Sequence, residues 1–285
     1  AEGAGSITKR TLTVGAVGAQ TKTYDGTTAA DAAAFRATLD NVVAGEESSV
    51  TATATGAAYN DKNVAKASKV NYTGVALQGT GAGNYTIADT AEGAGTITPR
   101  ALTLGAVGAQ TKPYDGTTTA EASKFRAALN NVVSGEENSV TATAAGATYN
   151  DKNVAGASMV GYTGLALRGA AAGNYSLVAT TAQGAGTITP CDLTLTADAA
   201  SVTQGGSLPA FTGKAQGFAD GEDGSVFGAD GVTFTTAVAD TNTPGSYAII
   251  GKAGGFTDGV LGNYRIRQAA GNATAFTIHA AALPG

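Results

Sequence analysis

The sequence predicts a mainly β protein, a tandem array of small β-sandwich modules of the Ig-like kind. Three observations predict it. The block TKTYDGTTAA at 21–30 returns as TKPYDGTTTA at 111–120, and residues 11–88 align with 101–178 without a gap. Within each copy Thr, Val and Tyr alternate with small residues over short windows, the period of half-buried strands. Gly, Asn and Asp bound those windows, and these are the residues that turn a chain.

In the first copy the strands are expected at Thr11 to Val14, Ser49 to Ala54, Lys69 to Ala76 and Tyr85 to Ala88, each with a counterpart one repeat later. The run from Thr28 to Val43 reads two ways. Ala32, Phe35, Arg36 and Leu39 fall at helical spacing, whereas Phe35, Ala37 and Leu39 alternate as in a strand. A short helix there would make the module β-grasp-like, the second architecture the sequence allows. Asp25-Gly26 and Asp115-Gly116 are turns with a mechanism: the carboxylate bonds amides two residues on, and glycine accepts a positive φ. Tyr24 and Tyr114 in front of them are expected as core anchors. The Gly-Asn-Tyr turns ending at Tyr85, Tyr175 and Tyr264, led by Asn84, Asn174 and Asn263, follow the same logic, with each ring buried and each hydroxyl bonded to nearby backbone.

Similar junctions recur as SITKRTLTV at 6–14, TITPRALTL at 96–104 and TITPCDLTL at 187–195. They divide the chain into residues 1–8, the terminal strand of a preceding repeat, then repeats at 9–98 and 99–189, and a third module with a short tail at 190–285. Pro99 and Pro190 fix φ between strand-like stretches and restrain the residues before them, so adjacent modules are expected to be stiffly coupled.

Composition narrows the function. The net charge is −5 and the Lys and Arg residues are dispersed, which argues against a nucleic-acid partner. No apolar run reaches the roughly 18 to 20 residues of a spanning helix. Cys191 is the lone cysteine, so the modules must hold by packing.

The ordered set Tyr24-Asp25-Gly26-Thr27-Thr28, Gly45-Glu46-Glu47, Tyr59-Asn60-Asp61-Lys62-Asn63-Val64 and Gly83-Asn84-Tyr85 resembles the YDG repeat domain of large bacterial surface adhesins. Repeat two carries the same set in Tyr114 to Thr118, Gly135-Glu136-Glu137, Tyr149 to Val154 and Gly173-Asn174-Tyr175. Residues 192–280 are similar to the MBG-type module, through Gly217-Phe218-Ala219-Asp220-Gly221, Pro244 to Ile249 and Gly262-Asn263-Tyr264. Such modules occur in filamentous haemagglutinin-like exoproteins of Gram-negative bacteria, exported by two-partner secretion. The resemblance implies a secreted or surface-held adhesin in which these repeats extend and present a distal binding region.

The alternative is an adhesive module that itself grips a glycan, mucin or host protein, and a third reading has repeats zipping against those of another cell. Exposed aromatics lining a groove would favour binding, and buried ones the spacer. An enzyme is not expected. The only histidine, His279, stands near the carboxyl end, and a triad cannot recur in repeats without histidine. Calcium is the one ion with candidate ligands, Asp220, Glu222, Asp223 and Asp230 in a Gly-rich stretch, although their spacing matches no EF-hand loop. Asp25, Glu46, Glu47 and Asp61 form a weaker set. Asn-x-Ser/Thr triplets begin at Asn71, Asn84, Asn174 and Asn272, and the resemblance implies that such triplets are glycosylated in some adhesins. The turn motif already accounts for Asn84 and Asn174.

Overall fold

The computed structural model describes residues 3–255, 260 and 262–282. The chain is mainly β, a succession of small β modules, and among the described residues its only helices are short 3-10 turns. In the first repeat the strands are β1 (Arg10–Thr11), β2 (Thr13–Val17), β3 (Gln20–Thr23), β4 (Ala37–Asp40), β5 (Thr51–Thr53), β6 (Gly56–Tyr59), β7 (Lys69–Thr73), β8 (Ala76–Gln78), β9 (Tyr85–Thr86) and β10 (Thr90–Thr98).

These strands form two halves with separate cores. In the first half β1 runs parallel to β9, with Arg10 opposite Tyr85, while β2 pairs antiparallel with β4 and β5 with β8. Leu12, Val50 and Tyr85 close its core, with Leu39, Val42 and Leu77 packed against them. The second half is one sheet in the order β3, β10, β7, β6. Its β3 and β10 are parallel, Gln20 facing Gly95, and the rest is antiparallel. Strand β7 shows why the alternation reads so clearly: Val70 and Tyr72 are buried while Lys69, Asn71 and Thr73 face water. Gly95 allows β10 to close on it, since a Cβ there would lie 2.8 Å from the Lys69 carbonyl carbon and from Val70 Cγ2.

The ambiguous run resolves in favour of alternation. Its helical part is a single 3-10 turn, Ala32–Ala34, capped by the Asp31 carboxylate, and β4 follows at once. Phe35 decides the matter by packing on Tyr72, ring centroids 4.7 Å apart, which leaves Ala37 and Leu39 on the inner side of a strand. The expected strand from Lys69 to Ala76 is broken at Gly74, whose φ of +62° turns β7 into β8.

The second repeat reproduces the same elements, including a 3-10 turn at Ala122–Lys124 and parallel pairs joining Arg100 to Tyr175 and Gln110 to Gly186. The third module keeps both parallel pairs, Cys191 with Tyr264 and Ala200 with Phe276. Leu193, Leu195, Ile249 and Phe276 are fully buried in it.

Contacts divide the chain into two compact units that do not follow the repeats. One unit takes residues up to Gly105 together with Ala127–Thr143 and Leu165–Thr180; the other takes Ala106–Arg126, Ala144–Gly164 and Thr181 onward. The first unit therefore joins all of repeat one to the first half of repeat two, and the second joins the second half of repeat two to the third module. In the first unit one continuous core holds Tyr24, Phe35, Tyr59, Val70, Tyr72 and Ile97 of repeat one with Leu102, Val140, Ala171 and Tyr175 of repeat two.

A glutamine, buried in the second repeat and half-buried in the first, ties strand to turn in both repeats. Gln110, 5% exposed, donates to the Glu121 carbonyl and the Tyr162 hydroxyl, both at 2.8 Å, and Gln20 does the same with Asp31 and Tyr72. Truncation would strand those groups in a dry site at a cost of about 1 to 3 kcal/mol. Gln110→Ala is expected to lower the denaturant midpoint accordingly. An unchanged midpoint would mean that water replaces the amide there.

Candidate functional site: a carboxylate joint between modules

Glu136 stands in a tight turn after Gly135, whose φ is +88°, and its amide donates to the Val133 carbonyl at 3.0 Å. This turn aims the carboxylate at two phenols. Tyr175 of the same repeat donates to Oε2 at 2.7 Å and accepts from the Val133 amide at 3.1 Å. Tyr24 of the preceding repeat donates to Oε1 at 2.6 Å. The two rings meet edge to face, centroids 5.4 Å apart at 81°, the arrangement their quadrupoles favour. Lys62 lies 3.9 Å from the same carboxylate and is half exposed, so its contribution is small.

A second contact fixes the register. The Asn174 side chain accepts from the Val64 amide at 3.0 Å and donates to Asn63 Oδ1 at 2.9 Å. Asn63 is held for this by Asp61, which accepts from both its backbone and side-chain nitrogens. The Tyr-Asp-Gly turn completes the face. Asp25 accepts from the Thr27 amide at 2.9 Å and from Lys22 at 2.8 Å, and Gly26, at φ +79°, brings the turn so close to Val133 that a Cβ would lie 2.9 Å from its Cγ1.

The second unit contains the same joint. Tyr114 and Tyr264 donate to the two oxygens of Glu222 at 2.5 and 2.6 Å, with rings 5.4 Å apart at 82°. Asn263 accepts from the Val154 amide and donates to Asn153 Oδ1, both at 2.8 Å. Asp115 repeats the bonds of Asp25 to Lys112 and Thr117, and Gly116 lies against Ala219.

Tyr24 and Tyr114 are the buried anchors expected, but their hydroxyls do not bond nearby backbone. Their partner is a carboxylate more than a hundred residues away, supplied by the next module. Tyr85, Tyr175 and Tyr264 do bond nearby backbone and donate to a glutamate as well. Sequence reading missed the glutamates, although a signal exists. Gly-Glu precedes Asn-Tyr in every module, with Glu46 and Tyr85 39 residues apart, Glu136 and Tyr175 39, and Glu222 and Tyr264 42.

Those bonds change the reading of the acidic stretch. Glu222, grouped with the calcium candidates, is committed to two phenols. Asp223 caps a 3-10 turn through the Ser225 amide at 2.9 Å, Asp220 is exposed, and the Asp230 side chain lies outside the described residues. Among the described residues no three metal-ligating side chains of the His, Cys, Asp or Glu kind gather. Asp25, Glu46, Glu47 and Asp61 turn to separate partners: Lys22, Tyr85, the Gly45 amide and Asn63. Of the glycosylation triplets, Asn174 and Asn272 are buried with their amides engaged, whereas Asn71 and Asn84 are exposed. His279 is exposed at a strand end, and Cys191 is a free thiol.

Protonation follows from this geometry. Burial, and then the glutamate beside each, pushes the Tyr24, Tyr114, Tyr175 and Tyr264 hydroxyls above the ordinary tyrosine value. Burial pulls the Glu136 carboxyl upward, but Tyr24, Tyr175 and Lys62 together hold it below the ordinary carboxylate value. A raised folded pKa means stability that is complete below about pH 10 and lost as pH climbs through the folded values. A depressed one means stability present above about pH 4.3 and lost as pH falls through the folded value. Thermal stability is therefore expected to be level between about pH 5 and 9 and to fall on both sides. Phenolate absorbance from these tyrosines should appear only with unfolding; release near pH 10 from a folded chain would contradict the joint as described.

Comparison with protein families agrees with these features. The model of the YDG domain matches residues 8–92 and again 98–183, and that of the MBG domain (YGX type) matches residues 193–274. No curated protein matches the chain. The tyrosine, glutamate and asparagine joints thus connect domains of known kinds, and the chain belongs to the YDG-domain family, with two YDG domains in tandem followed by an MBG domain.

Proposed function

We propose that the chain is a non-enzymatic spacer of a large surface-held or secreted bacterial adhesin, in which the repeats hold a distal binding region away from the cell. The supporting observation is where the recurring side chains go. Nine of the ten tyrosines are buried: Tyr24, Tyr59, Tyr72, Tyr85, Tyr114, Tyr149, Tyr162, Tyr175 and Tyr264. Among the described residues the large exposed hydrophobics are aliphatic, Ile7, Val43, Met159, Val178, Leu208 and Ile250. Sugar-binding surfaces need rings open to a ligand with convergent polar groups, and here the rings are used for packing and the polar groups for joining modules.

The cavities fit that assignment. A cleft of about 410 Å³ in the third module is lined by Thr236 to Asp240, Tyr247, Ala248 and Ile250, with one carboxylate and no cluster of charge. Among the described residues no helix is long and apolar enough to cross a membrane. Export by two-partner secretion from a Gram-negative cell is part of the proposal and rests on the adhesin resemblance of the YDG and MBG motifs.

A screen of the whole chain against glycan and host-protein arrays tests the reading. The expected result is no saturable binding. Saturable binding of a glycan or host protein, lost on Tyr247→Ala, would replace the spacer with an adhesive module.

A further inference from the structure

Glu46, Asn84 and Tyr85 repeat the receiving half of a joint that the chain completes twice. Tyr85 donates to Glu46 Oε2 at 2.5 Å and accepts from the Val43 amide at 3.2 Å, as Tyr175 does with Glu136 and Val133. The donor half is missing. Among the described residues no second phenol reaches Glu46, and Asn84 is exposed where Asn174 and Asn263 are 6% and 1% exposed. Val43 is 40% exposed, whereas Val133 packs into the core and Ala219 is 7% exposed.

Residues 3–8 point to the occupant. Their sequence, GAGSIT, matches GAGTIT at 93–98 and 184–189 but for Ser6, and those residues end the last strand of each repeat. Ile97 and Ile188 in those strands are 1% exposed, while Ile7 is fully exposed. A segment with the sequence of a closing strand but without strand pairing, and a receiving face that lacks its donor, lie at one end of the same module.

We propose that this face docks the second half of a further YDG module, one whose last strand is residues 3–8. That module brings the tyrosine of a Tyr-Asp-Gly turn to the free oxygen of Glu46 and an Asn-Asp-x-Asn-Val loop to Asn84. A second copy of this chain does not fit as well. Its Tyr24 and Tyr114 are engaged with Glu136 and Glu222, and the third module has Gln204 one residue past Thr203, where Tyr24 follows Thr23.

The test lengthens the chain by joining a copy of residues 9–92 ahead of Gly3. Amide exchange at Ile7 is expected to slow at least about tenfold relative to the 285-residue chain. Asn84→Ala is expected to shift the melting temperature by less than about 1 °C in the original chain and by about 2 to 4 °C in the lengthened one. Equal shifts in both chains, or an Ile7 amide that stays unprotected, would overturn the proposal. So would a dimer of the original chain that protects Asn84, because the occupant would then be a second copy.

Discussion

One carboxylate shared by two phenols from successive modules is the interaction on which the rest of this structure depends. Glu136 can accept from Tyr175 only because the Gly135 turn aims it inward, and from Tyr24 only because the Tyr-Asp-Gly turn sets that ring at the end of its own module. Each contact constrains the other. With both oxygens taken and Asn174 locked onto Asn63 and Val64, the two modules meet in one register.

Magnitudes separate what supplies cohesion from what supplies specificity. Losing a buried tyrosine ring costs about 3 to 5 kcal/mol by analogy with other large core aromatics, against about 1.5 to 3 kcal/mol for a hydrogen bond to a charged acceptor. Ring burial thus contributes more, and Tyr24, at 1% exposure, sits in a core continuous with that of the next repeat. The carboxylate rejects wrong pairings, since a half-buried glutamate without its phenols would lose both of its acceptor bonds while still partly withdrawn from water. Exposed ion pairs such as Lys69 with Glu92 or Lys124 with Glu121 are screened by solvent and do not alter this balance.

Much of the fold could be read in advance because its signals are local. Strand alternation around Val70 and Tyr72, the Asp25-Gly26 turn and the burial of Tyr24 each need only a few neighbouring residues to be recognised. The run at 28–43 carries two periods at once, and only the contact of Phe35 with Tyr72, far along the chain, selects the strand. The joint was hidden for a related reason. Tyr24 and Glu136 are separated by 112 residues, so no local window contains both. In the third module Glu222 was further obscured by Asp220 and Asp223, which made a structural carboxylate look like one of a set of calcium ligands.

Because the joints lie inside the compact units, the repeat seen in the sequence is not the unit of cohesion. A module boundary in the sequence coincides with a continuous core in the fold. The most direct test is a double-mutant cycle across the first joint, with Tyr24→Phe, Glu136→Gln and the pair measured by equilibrium unfolding. A shared carboxylate predicts a coupling energy of about 1 to 3 kcal/mol between residues of different modules. Additive effects, with coupling indistinguishable from zero, would contradict it and leave the modules joined by apolar packing alone.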